Sequence, residues 1–287
     1  MSLDQSELDR WYDARGSVSP DVFERVIRQY DEMSAAATRS RPSRRDVAYD
    51  PDSPNRLDIF GAGADARPAF IFLHGGYWRA NSKENSAFMA KAMAEHGIVT
   101  VVPDYTLIPG ATLEEIVRQC RQAVAWCYRH GAAYGVDPKR ITVGGSSAGG
   151  HLAAATVTGD WRAAFDLPSD VVKGAFPVSG LFDLAPVSQC FANEWLKLDD
   201  RSARALSPIR EIHATTCPLV VAYADSEAAG FKKQSLDFYE AWLKAGNSAR
   251  LLEAPQRNHF DVILDLADAR SELFGAVREV IDGSANA

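Results

Sequence analysis

Apolar positions Val22, Phe23, Val26 and Ile27 fall three and four residues apart, the spacing of one buried helical face. Ser19-Pro20 supplies a helix start just before them, and the first forty-odd residues read as helix. From Arg45 the pattern changes to alternation. Residues 46–50 and 56–60 read as two strands around the turn residues of 51–55. A regular succession follows. Short apolar runs at 69–73, 98–102, 140–144, 174–178, 219–223 and 249–252 predict buried strands. Longer patterns at 85–96, 112–129, 148–157, 231–243 and 271–281 predict helices between and after them. Continuous apolar strands separated by helices imply an α/β fold, with a mostly parallel sheet covered on both faces. In such sheets reactive groups gather beyond the carboxyl ends of the strands.

The strongest chemical signal stands at such an end. Gly145-x-Ser147-x-Gly149 lies between the predicted strand 140–144 and the predicted helix 148–157. A serine there occupies a tight, strained turn that needs small neighbours, and the helix behind it aims its amides at the site. Ser146 is the rival hydroxyl, but its register, Gly144-x-Ser146-x-Ala148, lacks the closing glycine. His74-Gly75-Gly76-Tyr77-Trp78 follows the strand ending at Leu73. Its glycine amides, Gly75 and Gly76, together with that of Ala148, suit an oxyanion hole. Tyr77 and Trp78 are expected to line the pocket, whereas Trp11, Trp126, Trp161, Trp195 and Trp242 read as core or cap residues.

A serine nucleophile needs a base, and the base an orienting acid, in the chain order Ser, Asp or Glu, His. Three histidines follow Ser147. His151 falls on the first turn of the next helix and suits packing, and His213 precedes a strand, at the wrong end of the sheet. His259, after the last strand, is at the right end. His74 precedes the nucleophile and suits holding a turn. Asp225 follows the strand 219–223 and is the expected acid, with Glu227 the alternative if that strand runs two residues longer. Asp183 also follows a strand and reads as structural or peripheral.

Composition narrows the partners. A net charge of −7 disfavours nucleic acid, which needs a basic face. The basic cluster Arg39, Arg41, Arg44 and Arg45 reads as a solvated loop or cap contact. No run has transmembrane length, and the acidic N-terminus lacks a signal-peptide pattern, so a cytoplasmic location is expected. Cys120, Cys127, Cys190 and Cys217 have no C-x-x-C spacing and read as buried free thiols. No metal-ligand spacing, Walker lysine or dinucleotide fingerprint is present, so no metal and no cofactor are expected. The expected partner is a small-molecule substrate, with no membrane partner, and a homodimer is left open.

Together these residues resemble the arylformamidase (kynurenine formamidase) branch of the α/β-hydrolases, near the hormone-sensitive-lipase-like esterases. His74-Gly-Gly-Tyr-Trp78, Pro103-Asp-Tyr-Thr-Leu107 with Leu113-Glu-Glu-Ile116, Ser147-Ala-Gly-Gly-His-Leu152, Asp225-Ser226 and Asn258-His-Phe-Asp261 carry the likeness over nearly the whole chain. Tyr12-Asp-Ala-Arg15 with Ser34-Ala-Ala-Ala37 resembles an N-terminal helical cap. The departures are Gly145-Ser146, where histidine is usual before the nucleophile, and Gly150, where alanine is common. The resemblance implies an α/β-hydrolase fold in a single domain, with a cap over residues 1–45 and a catalytic part over 46–287. It also implies acyl transfer on a formamide, amide or ester, with Ser147 as nucleophile, His259 as base and Asp225 as acid. A general short-chain carboxylesterase and a non-catalytic small-molecule-binding protein are the competing readings.

Overall fold

Each of the eight runs read as strands forms one. β1 (Ser43–Ala48), β2 (Arg56–Phe60), β3 (Arg67–Leu73), β4 (Val99–Pro103), β5 (Val136–Ser146), β6 (Gly174–Val178), β7 (Leu219–Ser226) and β8 (Ala249–Asn258) make a single sheet in the order β1-β2-β4-β3-β5-β6-β7-β8. β2 is antiparallel to both its neighbours, and every pair from β4 to β8 across the sheet is parallel. The computed structural model describes residues 4–40 and 43–283.

Alternation along the central strands sends side chains into two separate cores. Ile71 and Leu73 of β3 and Val143 of β5 belong to one, with Val124 of α4 (Leu113–His130), Leu152 of α5 (Ala148–Val157) and Phe238 of α9 (Ala229–Lys244). Phe70 and Phe72 belong to the other, with Met93 of α3 (Ala90–Glu95) and Phe274 and Val277 of α10 (Glu272–Gly283). Burying each such large apolar side chain is worth about 1.5–3 kcal/mol, so the doubly covered sheet is a rigid platform.

The N-terminal helices straddle that platform. α1 (Gln5–Tyr12), closed by an Asp4–Glu7 capping box, sends Tyr12 into the first core. α2 (Pro20–Ser40) sends Val26 and Tyr30 into the second. Three short helices, α6 (Leu184–Val187), α7 (Asn193–Leu196) and α8 (Asp200–Ala205), fill the excursion between β6 and β7, where no pattern predicted structure. They are too short for a 3.6-residue period to register.

The helix expected over 85–96 is shorter. Lys83–Asn85 is a single 3₁₀ turn, and α3 begins only at Ala90. The Asn85 side chain accepts the Ser82 N–H, and the Ala87 N–H is taken by Ser34 Oγ of α2, so the backbone donors before Ala90 are committed elsewhere. Of the basic cluster, Arg45 pairs with the buried Asp58, Arg39 and Arg44 are exposed, and Arg41 lies outside the described residues. All four cysteines are free and buried. No helix among the described residues is long and apolar enough to cross a membrane.

Candidate active site

The turn at Ser147 is a steric consequence of its sequence. β5 and α5 meet at Ser147, whose backbone has φ 58° and ψ −120°, a conformation costing a non-glycine residue roughly 1–3 kcal/mol. It persists because its surroundings over-determine it. Ser147 N–H donates to Val178 O at 2.8 Å. A Cβ on Gly145 would lie 2.3 Å from Gly149 O, and one on Gly149 would lie 1.9 Å from Leu73 O. Gly150 is under a similar constraint, since a Cβ there would come within 2.9 Å of Gly180 Cα. The strands and α5 approach so closely that only glycine fits.

Ser147 Oγ stands 2.9 Å from His259 Nε2, and His259 Nδ1 stands 2.7 Å from Glu227 Oε2. The bonding assigns the Nδ1–H tautomer: the ring donates to Glu227 and accepts from the serine hydroxyl. Phe231 packs on the imidazole at 4.2 Å between centroids and Phe260 meets it edge-on, so ring and carboxylate are both buried. The turn carrying His259 is tied by Asn258, whose N–H donates to Asp261 Oδ1 and whose Oδ1 accepts from Phe260 N–H.

Asp225, the expected acid, is not in this chain of bonds. Its Oδ2 accepts the Gln256 N–H and its Oδ1 the Ser226 hydroxyl, and the first of these holds its carboxyl below the usual range. The physical reason is the length of β7, which continues to Ser226 instead of stopping near Tyr223. The side chain that leaves the strand end toward His259 is therefore Glu227, the weighed alternative. Asp225 instead braces β8 across a register shift between Ala224 and Ser226.

The remaining titratable candidates take structural places. His74 donates from Nδ1 to Gly75 O, stacks on Tyr105 at 4.1 Å, and is driven down to a pKa of about 4 by burial. His151 donates from Nε2 to Leu206 O and is likewise lowered to about 4 by burial. His213 is exposed. Asp183 accepts the Ala185 N–H at the start of α6 and pairs with Arg210. Ser146 borders the cavity beside Ser147 without a bond to His259.

The loop after β3 lies against Ser147. A Cβ on Gly75 would come within 2.8 Å of Ser146 O and 3.4 Å of Ser147 Cβ. Gly76 has φ +106°, which favours glycine, and its carbonyl accepts from the N–H groups of Arg79 and Ala80 to close the turn. Ala148 is the first residue of α5, so no intrahelical carbonyl claims its amide. Tyr77 lines the cavity as expected, and its hydroxyl donates to Tyr12 O while its carbonyl accepts from Trp195 Nε1. Trp78 does not line it. The positive φ of Tyr77 and Trp78 turns the indole inward, where it is fully buried and meets the edge of His151 at 5.2 Å.

The cavity holds about 270 Å³ and opens on Ser147 and His259. One wall comes from the second core and α2, with Phe72, Phe88 and Tyr30, and the other from Tyr77 with Phe191 and Trp195. The sequence reading missed Phe191 and Arg79 and placed Trp195 in core or cap. The one signal for this wall was the aromatic content of the unassigned 181–213 segment. Among the described residues no cluster of His, Cys, Asp and Glu suits a metal ion.

Residues 57–242 match the family described as BD-FAE. The kynurenine formamidase of Danio rerio is 30% identical over 93% of this chain and 92% of that protein. Esterase LipQ of Mycobacterium tuberculosis is 29% identical over 90% of this chain and 72% of its own. A proposed thioesterase from Silicibacter sp. tm1040 has a solved structure with a TM-score of 0.80, 29% identity, and coverage of 95% of this chain and 99% of that one. The Pyrobaculum calidifontis esterase superposes with a TM-score of 0.73 at 20% identity, over 90% and 92% of the two chains. The architecture is that of an α/β-hydrolase.

Proposed function

The chain belongs to the kynurenine formamidase family of α/β-hydrolases, and from that premise we propose that it deformylates an N-formyl arylamine by acyl transfer through Ser147. It is a serine hydrolase acting on formamide or ester bonds. The observation that carries the finer reading is the buried relay Ser147–His259–Glu227, with spacings of 2.9 and 2.7 Å, at the floor of an aromatic-walled cavity.

Ser147 Oγ attacks the carbonyl carbon as its proton passes to His259 Nε2, and Glu227 holds the ring and stabilises the imidazolium that forms. The carbonyl oxygen becomes an oxyanion bound by the amides of Gly75, Gly76 and Ala148. Such preorganised donors are worth about 3–4 kcal/mol each. His259 then gives its proton to the departing amine nitrogen as the C–N bond breaks. A water, deprotonated by the same ring, attacks the acyl-enzyme, and formate leaves as Ser147 regains its proton.

A second reading, short-chain carboxylesterase, is favoured by one observation: the cavity far exceeds a formyl group and has an apolar wall at Phe72 and Phe88. The third, a non-catalytic binder, loses support from the assembled relay. Residues 4–40 act in this proposal as a cap over the site. A reducing cytoplasmic setting suits the four free thiols, and a homodimer is the assembly to look for.

Rates on an N-formyl arylamine and a short p-nitrophenyl ester, each with Ser147→Ala, test the proposal. Faster deformylation that disappears in the variant supports it. Ester cleavage alone moves the protein to the esterases, and turnover surviving in Ser147→Ala removes the nucleophile.

A further inference from the structure

His259 follows directly on β8, which stands at one end of the strand order and pairs with β7 alone. The turn that carries the imidazole therefore has strand support on one side. It is tied within itself: Asn258 Oδ1 accepts the N–H groups of Phe260 and Asp261, and Asp261 Oδ1 accepts the Asn258 N–H. Bonds inside a turn set its shape but not its place over Ser147, which needs a contact from outside. α2 supplies that contact. Tyr30, 230 residues earlier in the chain, donates its hydroxyl to Phe260 O at 2.6 Å. Phe23 of the same helix meets the Phe260 ring edge-on at 5.0 Å, and that ring meets His259 edge-on at 5.3 Å.

α2 is itself anchored on the far side of the cavity. Ser34, four residues after Tyr30 and so on the same helical face, is fully buried, and its Oγ accepts the Ala87 N–H at 3.0 Å. Tyr30 packs at 5.2 Å on Phe88, which meets Phe72 of β3 edge-on at 5.5 Å. One helix thus bonds, a single turn apart, to the segment beyond the 75–78 loop and to the residue next to His259. The Tyr30 ring lines the cavity, but its hydroxyl proton is committed to Phe260 O and is not free for a substrate. Burial pushes the ionisation of that hydroxyl well up, so it remains a donor throughout the neutral range.

Resting on the roles given above to Ser147 and His259, for a formamide and an ester alike, we infer that Tyr30 is a positioning residue for the base. Through Phe260 O it holds the His259 turn at hydrogen-bonding distance from Ser147. Tyr30 takes no part in proton transfer and acts only through the place of the imidazole. A displacement of about 1 Å at a reacting group can cost roughly 10²-fold in rate, and loss of one tether among several costs less. The loss falls on kcat, because phenylalanine at position 30 keeps the cavity wall that the substrate touches.

The test is Tyr30→Phe, which removes only the hydroxyl. On p-nitrophenyl acetate or an N-formyl arylamine, whichever is turned over, it is expected to lower kcat about 10-fold with KM within about 2-fold of wild type. Phosphonylation of Ser147 by a fluorophosphonate needs the serine and its base but little substrate recognition, and its rate is expected to fall by a like factor. In a Glu227→Gln background, where the ring has already lost its orienting carboxylate, the same change is expected to cost less than about 2-fold. Phe23→Leu, which trims the other α2 contact to Phe260, is expected to slow phosphonylation to a smaller degree, and it carries the comparison should Tyr30→Phe fail to fold. Wild-type kcat and phosphonylation rate in Tyr30→Phe, with only the denaturation midpoint lowered, overturn the inference, because the hydroxyl then serves stability alone. A higher KM at unchanged kcat, or an equal loss in both backgrounds, overturns it as well. Each of those results leaves the reading of Ser147 standing, whereas a wild-type chain inert to the fluorophosphonate removes that reading and the inference with it.

Discussion

The turn at Ser147 and the turn carrying Asp225 and Glu227 sit at the ends of β5 and β7, yet they are determined in different ways. Around Ser147 every neighbour is fixed by close backbone approach, to the point that a Cβ on Gly149 would overlap Leu73 O at 1.9 Å. Around Asp225 and Glu227 no such packing decides which carboxylate turns inward. Two acids stand two residues apart, one half-exposed and one buried, and the end of β7 chooses between them. Where sterics dictate, sequence and site correspond residue for residue. Where only the length of a strand dictates, two readings survive until the strand is seen.

Perturbing the Ser147 side should therefore produce large effects of several kinds. Ser147→Ala is expected to lower kcat by about 10⁴-fold or more with the fold intact, as checked by steady-state kinetics and circular dichroism. Trp78→Ala should cost about 3–5 kcal/mol of stability in denaturant unfolding, because it empties a fully buried site. Trp195→Ala, on the cavity wall, should chiefly raise KM.

The two buried imidazoles on this side also make stability depend on pH. His74 and His151 are held near a pKa of 4 by burial, against about 6.5 in the unfolded chain. Between those values the unfolded chain binds more protons than the folded one, so acid favours unfolding. Their contribution is fully present above the unfolded pKa and is lost as pH falls toward 4, by about 3 kcal/mol for each ring. Chemical denaturation from pH 7 to pH 4 should show the fall, and His74→Gln should flatten it.

The smallest expected effect has the opposite sign. Ser147→Gly removes the penalty of the strained turn, so it should abolish turnover while raising unfolding free energy by about 1 kcal/mol. A stability loss in that variant would mean that the turn is not strained.

Much of this was legible in the sequence because the strands are short apolar runs and the motifs sit at their ends. All eight strands stand where apolar runs were read, β8 continuing six residues past its expected end, and Ser147, His259, Gly75, Gly76 and Tyr77 all line one cavity. Three features were not legible, each for a physical reason. The end of β7 has no breaker, so its length was read short and Asp225 was set ahead of Glu227, the reverse of the observed bonding. The inward turn of Trp78 depends on a positive φ that tryptophan does not advertise. Of the wall formed by Phe191 and Trp195, Trp195 rides on a helix of four residues and Phe191 on the turn before it, both below the reach of periodicity.

The most direct test sets Glu227→Gln beside Asp225→Asn and measures kcat on one substrate. A loss of about 10³–10⁴-fold is expected for Glu227→Gln, because the imidazole then loses its orienting carboxylate, and of less than about 10-fold for Asp225→Asn. The reverse pattern, with Asp225→Asn crippled and Glu227→Gln near wild type, would contradict it.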